Sequence, residues 1–372
     1  MSHYQDVELI KNVYIHVGPP KTGTSAVQKW LNSNQDFLKE NGIFYPSHNV
    51  DSNGVSSGNV RSIYDINANK QLSLNTDNLS KLLDGFYKSD FTTLLLSSEF
   101  FFRRMEELKR AIPDANFIAY IRNPMEIKES TYNQSVKRHF QVQTINVDRS
   151  KRLPYMDRFV EFITQFKADD LYLRVYGDKY FKNGNIVSDL LSVLGVDVRA
   201  TLPMVNSSYQ FEALEFKRWF NQFELHDYQV LVDRALQGYT GGTSHYSLIP
   251  STKYVEDSIY YSSIIENFAR DLNASCLQAL VADMKSPVPK PFFKQGLNKT
   301  DFLAVCDYLQ NQLKVDYYLL VKQIQNSKAS EDRTFQLLFI NSCASKYKYM
   351  HRVYQLRFRI KKAINALKSI IK

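Results

Sequence analysis

A lysine, two glycines and three hydroxyl residues crowd the stretch Val13-Tyr-Ile-His-Val-Gly-Pro-Pro-Lys-Thr-Gly-Thr-Ser25, directly behind an apolar run. Residue types at this spacing make a cradle for a phosphate. Gly18 and Gly23 let backbone N–H groups approach an anion. Thr22, Gly23, Thr24 and Ser25 lead into a helix whose apolar face is Ala26, Val27, Trp30 and Leu31. The lysine is out of place for a nucleoside triphosphate loop. The gap from Gly18 to Gly23 suits G-x-x-x-x-G-K-[ST], but Thr24 stands where that lysine belongs and Lys21 precedes the second glycine. Either the loop takes a different anion or the match is accidental.

A second chemical segment is Phe117-Ile-Ala-Tyr-Ile-Arg-Asn-Pro124, continuing to Ser130. Arg122 falls at a strand end, Pro124 opens a helix and Ser130 lies two turns into it, so a guanidinium and a hydroxyl can converge on one phosphate. An arginine at a strand end is, by itself, more often an ion-pair partner. Beside the first loop it reads as part of a site. Gln134, Lys137 and Arg138 follow on the same helix and face either an acceptor or solvent.

These residues need elements to position them. Apolar segments at Val13–Val17, Thr93–Leu96, Phe117–Ile121 and Leu171–Tyr176 alternate with helical patterns, which predicts an α/β fold: a P-loop-type core with a central parallel sheet flanked by helices. Gly42–Pro46 adds a short edge strand, Asp51–Gly58 a loop beside the site, and Ile186–Leu194 a helix stopped by Gly195. Arg199–Ser208 reads as a connector, and beyond it the pattern is mainly helical. Ser286–Pro291 is a stiff linker; one long helix after Thr300 buries Phe302, Cys306, Leu309, Leu313, Tyr317 and Leu320. The expected division is a core over 1–198, a helical region completing the core and acceptor site over 199–330, and a basic amphipathic tail over 331–372.

Charge is concentrated in that tail. Nine basic and no acidic residues lie between Lys346 and Lys372, equal to the whole formal charge of +9, so the body is neutral. That distribution argues against nucleic acid and for a local contact. Val353, Leu356, Ile360, Ile364, Leu367 and Ile371 share one helical stripe, which fits docking on its own domain or binding to an anionic membrane surface or another polyanion. Cys276, Cys306 and Cys343 are far apart with no metal or disulfide spacing, and the histidines are scattered. Met1–Asn12 has no secretory pattern and no apolar run spans a bilayer; the expectation is a cytoplasmic protein, peripheral on the inner face of the cytoplasmic membrane if the tail binds lipid.

Gly18-Pro-Pro-Lys-Thr-Gly-Thr-Ser25 resembles the 5′-phosphosulfate loop of sulfotransferases that use 3′-phosphoadenosine 5′-phosphosulfate. Arg122 with Ser130 resembles that family's 3′-phosphate motif, and Tyr176-Gly-Asp178 with Leu194-Gly195 extends the likeness over about the first 200 residues. Leu94-Leu-Leu-Ser-Ser-Glu99 makes it look more like the bacterial and carbohydrate enzymes, because a strand-end glutamate stands where the small-phenol enzymes have histidine. The resemblance implies sulfuryl transfer to a sugar hydroxyl on a glycolipid or surface polysaccharide, with that nucleotide as co-substrate and no metal required. Lys21 would then steady charge growing on the bridging oxygen, and Lys21, Thr22, Gly23, Thr24, Ser25, Arg122 and Ser130 would bind the nucleotide.

Glu99, at the carboxyl end of a core strand, is placed to take the acceptor's proton. A strand-end glutamate is also a common capping or ion-pairing residue, and His48 is the rival base. His16, inside the first strand, reads as a buried core residue. Two other classes remain: a P-loop kinase or nucleoside triphosphatase, which lacks the lysine after Gly23, and a non-catalytic polyanion- or membrane-binding protein.

Overall fold

Short runs rich in β-branched and aromatic residues become buried strands here because helices cover them on both faces. A computed structural model of the chain describes residues 10–49, 56–69, 71–148, 153–166, 168–202, 208–327, 333–353 and 355–356. The first half runs β1 (Asn12–Val17), α1 (Thr24–Ser33), α2 (Gln35–Glu40), β2 (Ile43–Phe44), β3 (Tyr64–Ile66), β4 (Leu72–Leu74), α3 (Thr76–Tyr87), β5 (Thr93–Ser98), α4 (Met105–Ala111), β6 (Ala115–Ile121), α5 (Pro124–Arg138), α6 (Pro154–Gln165), β7 (Leu171–Val175) and α7 (Ile186–Val193). Seven helices follow: α8 (Phe211–Phe220), α9 (His226–Gln237), α10 (Ser251–Asp271), α11 (Gln278–Lys285), α12 (Lys299–Leu313), α13 (Val315–Asn326) and α14 (Arg333–Asn341).

The central sheet has five strands in the order β2-β5-β1-β6-β7, all parallel. Each expected core strand is present, and Gly42–Pro46 supplies the edge strand. In register, Ile15 of β1 lies between Leu96 of β5 and Phe117 of β6. All six residues of β5 are buried. Parallel neighbours bring their carboxyl ends to one edge, where the segments after β1, β5 and β6 meet the same crevice.

The chain forms two compact units, 1–127 with 148–205 and 255–287, and 128–147 with 206–254 and 288–372. This interleaved division differs from the linear one expected at 198 and 330, because α5 and α10 each carry the chain from one unit into the other. In the first unit, Val27, Leu31, Leu95, Ile118, Tyr120 and Leu190 pack between α1, α7 and the sheet. Buried Asp189 pins α7 to two strands: it accepts from Tyr120 at 2.9 Å, from Arg174 at 3.0 and 2.5 Å, and from the Lys182 amide at 2.9 Å. Removing one partner of such a group would strand a buried charge.

The second unit is built on aromatic residues. Phe216, Trp219, Phe302 and Phe339 meet in one cluster, with Trp219 edge-on to Phe302 at 4.8 Å. The single helix expected after Thr300 is two. Lys314, at φ 53° and ψ −112°, separates α12 from α13, and the turn keeps the buried residues of both helices on the same core. No proline or glycine marks the break. Beyond α14, residues 345–353 are helical. Residues 51–55 of the expected loop, 203–207 of the connector and 357–372 of the tail, with Ile360, Ile364, Leu367 and Ile371, lie outside the described residues.

Gly58 is the sterically tightest glycine near the sheet edge. At φ +68°, its added Cβ would sit 1.8 Å from the carbonyl oxygen of Ser97, whereas at Gly195 (φ +84°) a Cβ would meet nothing within 4 Å. Gly195→Ala should therefore cost only the left-handed penalty of about 1–2 kcal/mol. Gly58→Ala should cost about 3 kcal/mol or more, since backbone must move as well. Urea unfolding of the two variants measures the difference; equal midpoints would contradict the packing described.

Candidate active site

The segment after β1 leaves the sheet as a left-handed loop. Lys21 has φ +74° and Gly23 φ +76°, and α1 begins at Thr24. A non-glycine residue holds such a backbone only where its neighbours enforce it. Thr22 is buried and donates its hydroxyl to the carbonyl of Pro19 at 2.7 Å, closing the turn. Gly18 admits the Thr24 side chain, whose Oγ1 would lie 2.2 Å from any Cβ there. Gly23, as N-cap, gives α1 no side-chain cap, and the first turn holds no acidic residue. The amides and the positive end of the helix dipole are therefore uncompensated by this helix's own side chains, as an anion site requires.

Arg122 locks this loop from the neighbouring strand. Its Nη1 donates to the carbonyl of Lys21 at 2.8 Å, its Nε to Glu126 at 3.0 Å, and its guanidinium carbon lies 4.6 Å from the ring centre of Tyr176. Tyr176 fills the space behind Gly23, where a Cβ would come within 2.9 Å of the ring. The arginine thus has the ion pair expected of a structural residue and, at once, a place against the cradle.

Glu99 opens the 3₁₀ turn that follows β5, whose Ser98 hydroxyl accepts from the Phe100 amide at 3.2 Å. Lys21 and Glu99 share one electrostatic environment. Burial lowers the lysine's pKa and Arg122 lowers it further, against the opposing pull of Glu99. Burial raises the Glu99 carboxyl, opposed by Lys21 and by the Thr24 hydroxyl. By accessible surface Glu99 is exposed, yet protein is dense around its carboxyl. A side chain on the floor of a cleft satisfies both, and the upward direction follows from the crowding. Thr24 Oγ1 lies on the glutamate's side but is buried without a hydrogen bond of normal geometry.

Three strand ends thus bring together Lys21, Thr22, Gly23, Thr24, Ser25, Glu99 and Arg122. Ser130 lies on α5 in the second unit and is not among the groups so placed. The Thr22 and Thr24 hydroxyls turn into the protein, so what these residues offer an anion is backbone N–H. Arg138 pairs with Asp233 at 3.3 Å and Lys137 lies 4.3 Å from the Tyr209 ring centre, so both cations have partners in the second unit. The sequence marks Tyr176 only through the Tyr176-Gly-Asp178 stretch of the resemblance; its place against Arg122 and Gly23 is not readable there. Among the described residues no group of three histidine, cysteine or acidic side chains could hold a metal, and no helix is long and apolar enough to cross a membrane.

The two histidines near the site are committed elsewhere. His48 Nε2 lies 3.0 Å from the Tyr45 hydroxyl and Nδ1 3.0 Å from that of Ser56, which also accepts from the Gly58 amide at 2.8 Å. Both ring nitrogens of His48 are therefore engaged with hydroxyl groups. His16 is fully buried, with Nδ1 2.9 Å from Ser97 Oγ and Nε2 unpartnered.

The sequence matches no family model and no curated protein. Among solved structures, the crystal structure of a retinol dehydratase in complex with androsterone and inactive cofactor PAP is similar at 10% sequence identity, over 82% of this chain and 80% of that one, with a TM-score of 0.18. A likeness that slight carries no argument, and the chemistry has to be read from this chain's own residues.

Burial pushes His16 down to about 4. Between its ordinary value near 6.5 and about 4, the unfolded chain binds a proton that the folded chain refuses. Stability should therefore fall as pH drops through that window, by about 3 kcal/mol from this group, and be independent of it at higher pH. NMR titration of His16 together with urea unfolding across the window measures both; an imidazole titrating near 6.5 would contradict its burial.

Proposed function

We propose that the protein is a sulfotransferase, moving a sulfuryl group from 3′-phosphoadenosine 5′-phosphosulfate to a hydroxyl of a carbohydrate. The observation that carries this reading is the placement of Lys21 ahead of Gly23, in a left-handed conformation, sharing its surroundings with Glu99 and tied through its carbonyl to Arg122. A phosphoryl-transfer loop would carry its lysine one residue beyond Gly23. Here the lysine precedes the second glycine, where its cation would meet an oxygen bridging phosphate to a second group.

The cradle fits the 5′-phosphate of such a donor. Backbone N–H groups from Thr22 to Ser25 would hold it at the uncapped start of α1, and Arg122 would take the 3′-phosphate, whereas Ser130, which the sequence pairs with it, is not among the residues brought to this loop. The nucleotide supplies an activated sulfuryl group. Glu99 accepts the proton of the acceptor hydroxyl as its oxygen bonds to sulfur; its raised pKa makes it a stronger base than an ordinary carboxylate. As the bond from sulfur to the bridging oxygen breaks, Lys21 stabilises the negative charge left on that oxygen, and adenosine 3′,5′-bisphosphate departs. That charge is small in the bound donor and develops as the bond breaks, so the lysine acts on rate more than on the donor's affinity. The carbohydrate acceptor rests on the strand-end glutamate and on the abundance of tyrosine and phenylalanine, 24 of each, for stacking on sugar rings.

Ligand bound only by the folded protein raises its melting point, by about 2.7 kcal/mol of linkage at a hundred times Kd. Adenosine 3′,5′-bisphosphate should stabilise the protein by several degrees and ATP with magnesium should not. The reverse ranking overturns the assignment in favour of a nucleoside triphosphate enzyme.

Labelled-sulfate transfer to a panel of glycans should identify an acceptor. With it, Lys21→Ala should lower kcat by about 10²–10³-fold. Glu99→Gln should lower kcat by about 10²–10⁴-fold and keep the bisphosphate's thermal shift. Full turnover by Glu99→Gln would remove the base role from that residue.

A further inference from the structure

The helical residues 345–353 present two faces of different chemistry. One is anchored: Tyr347 is 5% exposed and donates its hydroxyl to Asn311 of α12 at 3.3 Å, and one turn on the His351 ring lies 5.4 Å from that of Tyr318 on α13. The other faces water although it is not polar. Tyr349 is 69% exposed, Met350 46% and Leu356, also in helical conformation, 60%. At about 100° per residue, Tyr349 and Leu356 fall within about 20° of one another, with Lys346 and Arg352 about 60° to either side. An apolar ridge with basic flanks is thus held outward by an anchored helix.

We propose that this face lies on an anionic lipid surface. Charge complementarity identifies the occupant, since the residues from Lys346 to Lys372 include nine basic and no acidic side chains while the rest of the chain is formally neutral. The ridge selects lipid among polyanions. A phosphate backbone or sulfated glycan would use the lysines and arginines but leave Tyr349, Met350 and Leu356 in water, whereas a headgroup layer takes the basic groups and the acyl boundary takes the ridge. The sequence pattern continues in step, because Ile360, Ile364, Leu367 and Ile371, outside the described residues, keep the helical spacing that starts at Val353 and Leu356. An enzyme with this tail would work beside a membrane, where lipid-linked glycans are found.

Co-sedimentation of the full chain tests the surface. Wild type should bind vesicles of phosphatidylglycerol mixed into phosphatidylcholine, lose binding as salt rises, and ignore pure phosphatidylcholine. Replacing Lys346, Lys348 and Arg352 by serine should weaken partitioning about a hundredfold. Tyr349→Ser with Leu356→Ser should also weaken it while leaving heparin binding intact, and melting curves check that these exposed substitutions leave the fold unchanged.

Leu356→Trp gives a second readout, because the native Trp30 and Trp219 are both 6% exposed and report little on lipid. Its fluorescence should shift to the blue on the anionic vesicles. No vesicle binding by wild type, no blue shift, or equal lipid binding by the serine double variant would each overturn the proposal, the last leaving a site for soluble polyanions.

Discussion

The hydrogen bond from Arg122 to the carbonyl of Lys21 is the contact on which the site depends. A lysine resists the left-handed backbone, and a loop containing one there relaxes unless its carbonyl is held. Arg122 holds it from the next strand, Tyr176 backs the arginine and closes the space behind Gly23, and Thr22 draws the turn onto Pro19. The left-handed turn at Lys21 and the uncapped start of α1 both belong to that shape. Arg122 thus holds the loop through one nitrogen while pairing with Glu126 through another.

Much of this was legible in the sequence because the signals were local. The apolar runs at Val13 and Phe117 could only be buried strands, and the loop after the first carried its own turn chemistry in Gly18, Gly23 and the prolines. What could not be read depends on distant partners. Tyr176 is an ordinary strand-end tyrosine until Arg122 and Gly23 close on it, and His48 resembles a base until Tyr45 and Ser56 occupy both its nitrogens. The break at Lys314 is invisible for the same reason. No local breaker is present, and only the shared aromatic core of α12 and α13 gives the turn a cause. The interleaved units were missed because a helix such as α5 reads as continuous in sequence while its two ends serve different cores.

Buried polar groups set the register of both units. Asp189 receives four donors and thereby fixes α7 against β6 and β7 in a single position. In the second unit, Lys217 is fully buried, donating to the amide oxygens of Asn221 at 2.5 Å and Gln229 at 2.7 Å over the rings of Phe140 and Phe220, and burial lowers its pKa to about 8. An apolar side chain there would be less demanding; the lysine instead requires α8 and α9 to meet at one offset. Specificity of packing is the best physical account of such groups.

The strand order separates the tasks. β1 lies between β5 and β6, so the lysine comes from the middle strand, the glutamate from one neighbour and the arginine from the other. Neighbouring parallel strands are about 4.8 Å apart, so each task occupies one strand's width of the crevice. Such an arrangement is modular: if the protein is the sulfotransferase proposed above, changes confined to the β5 end would reshape acceptor choice while the β1 and β6 ends kept the donor. A scaffold organised in this way can diversify its products without surrendering its reagent.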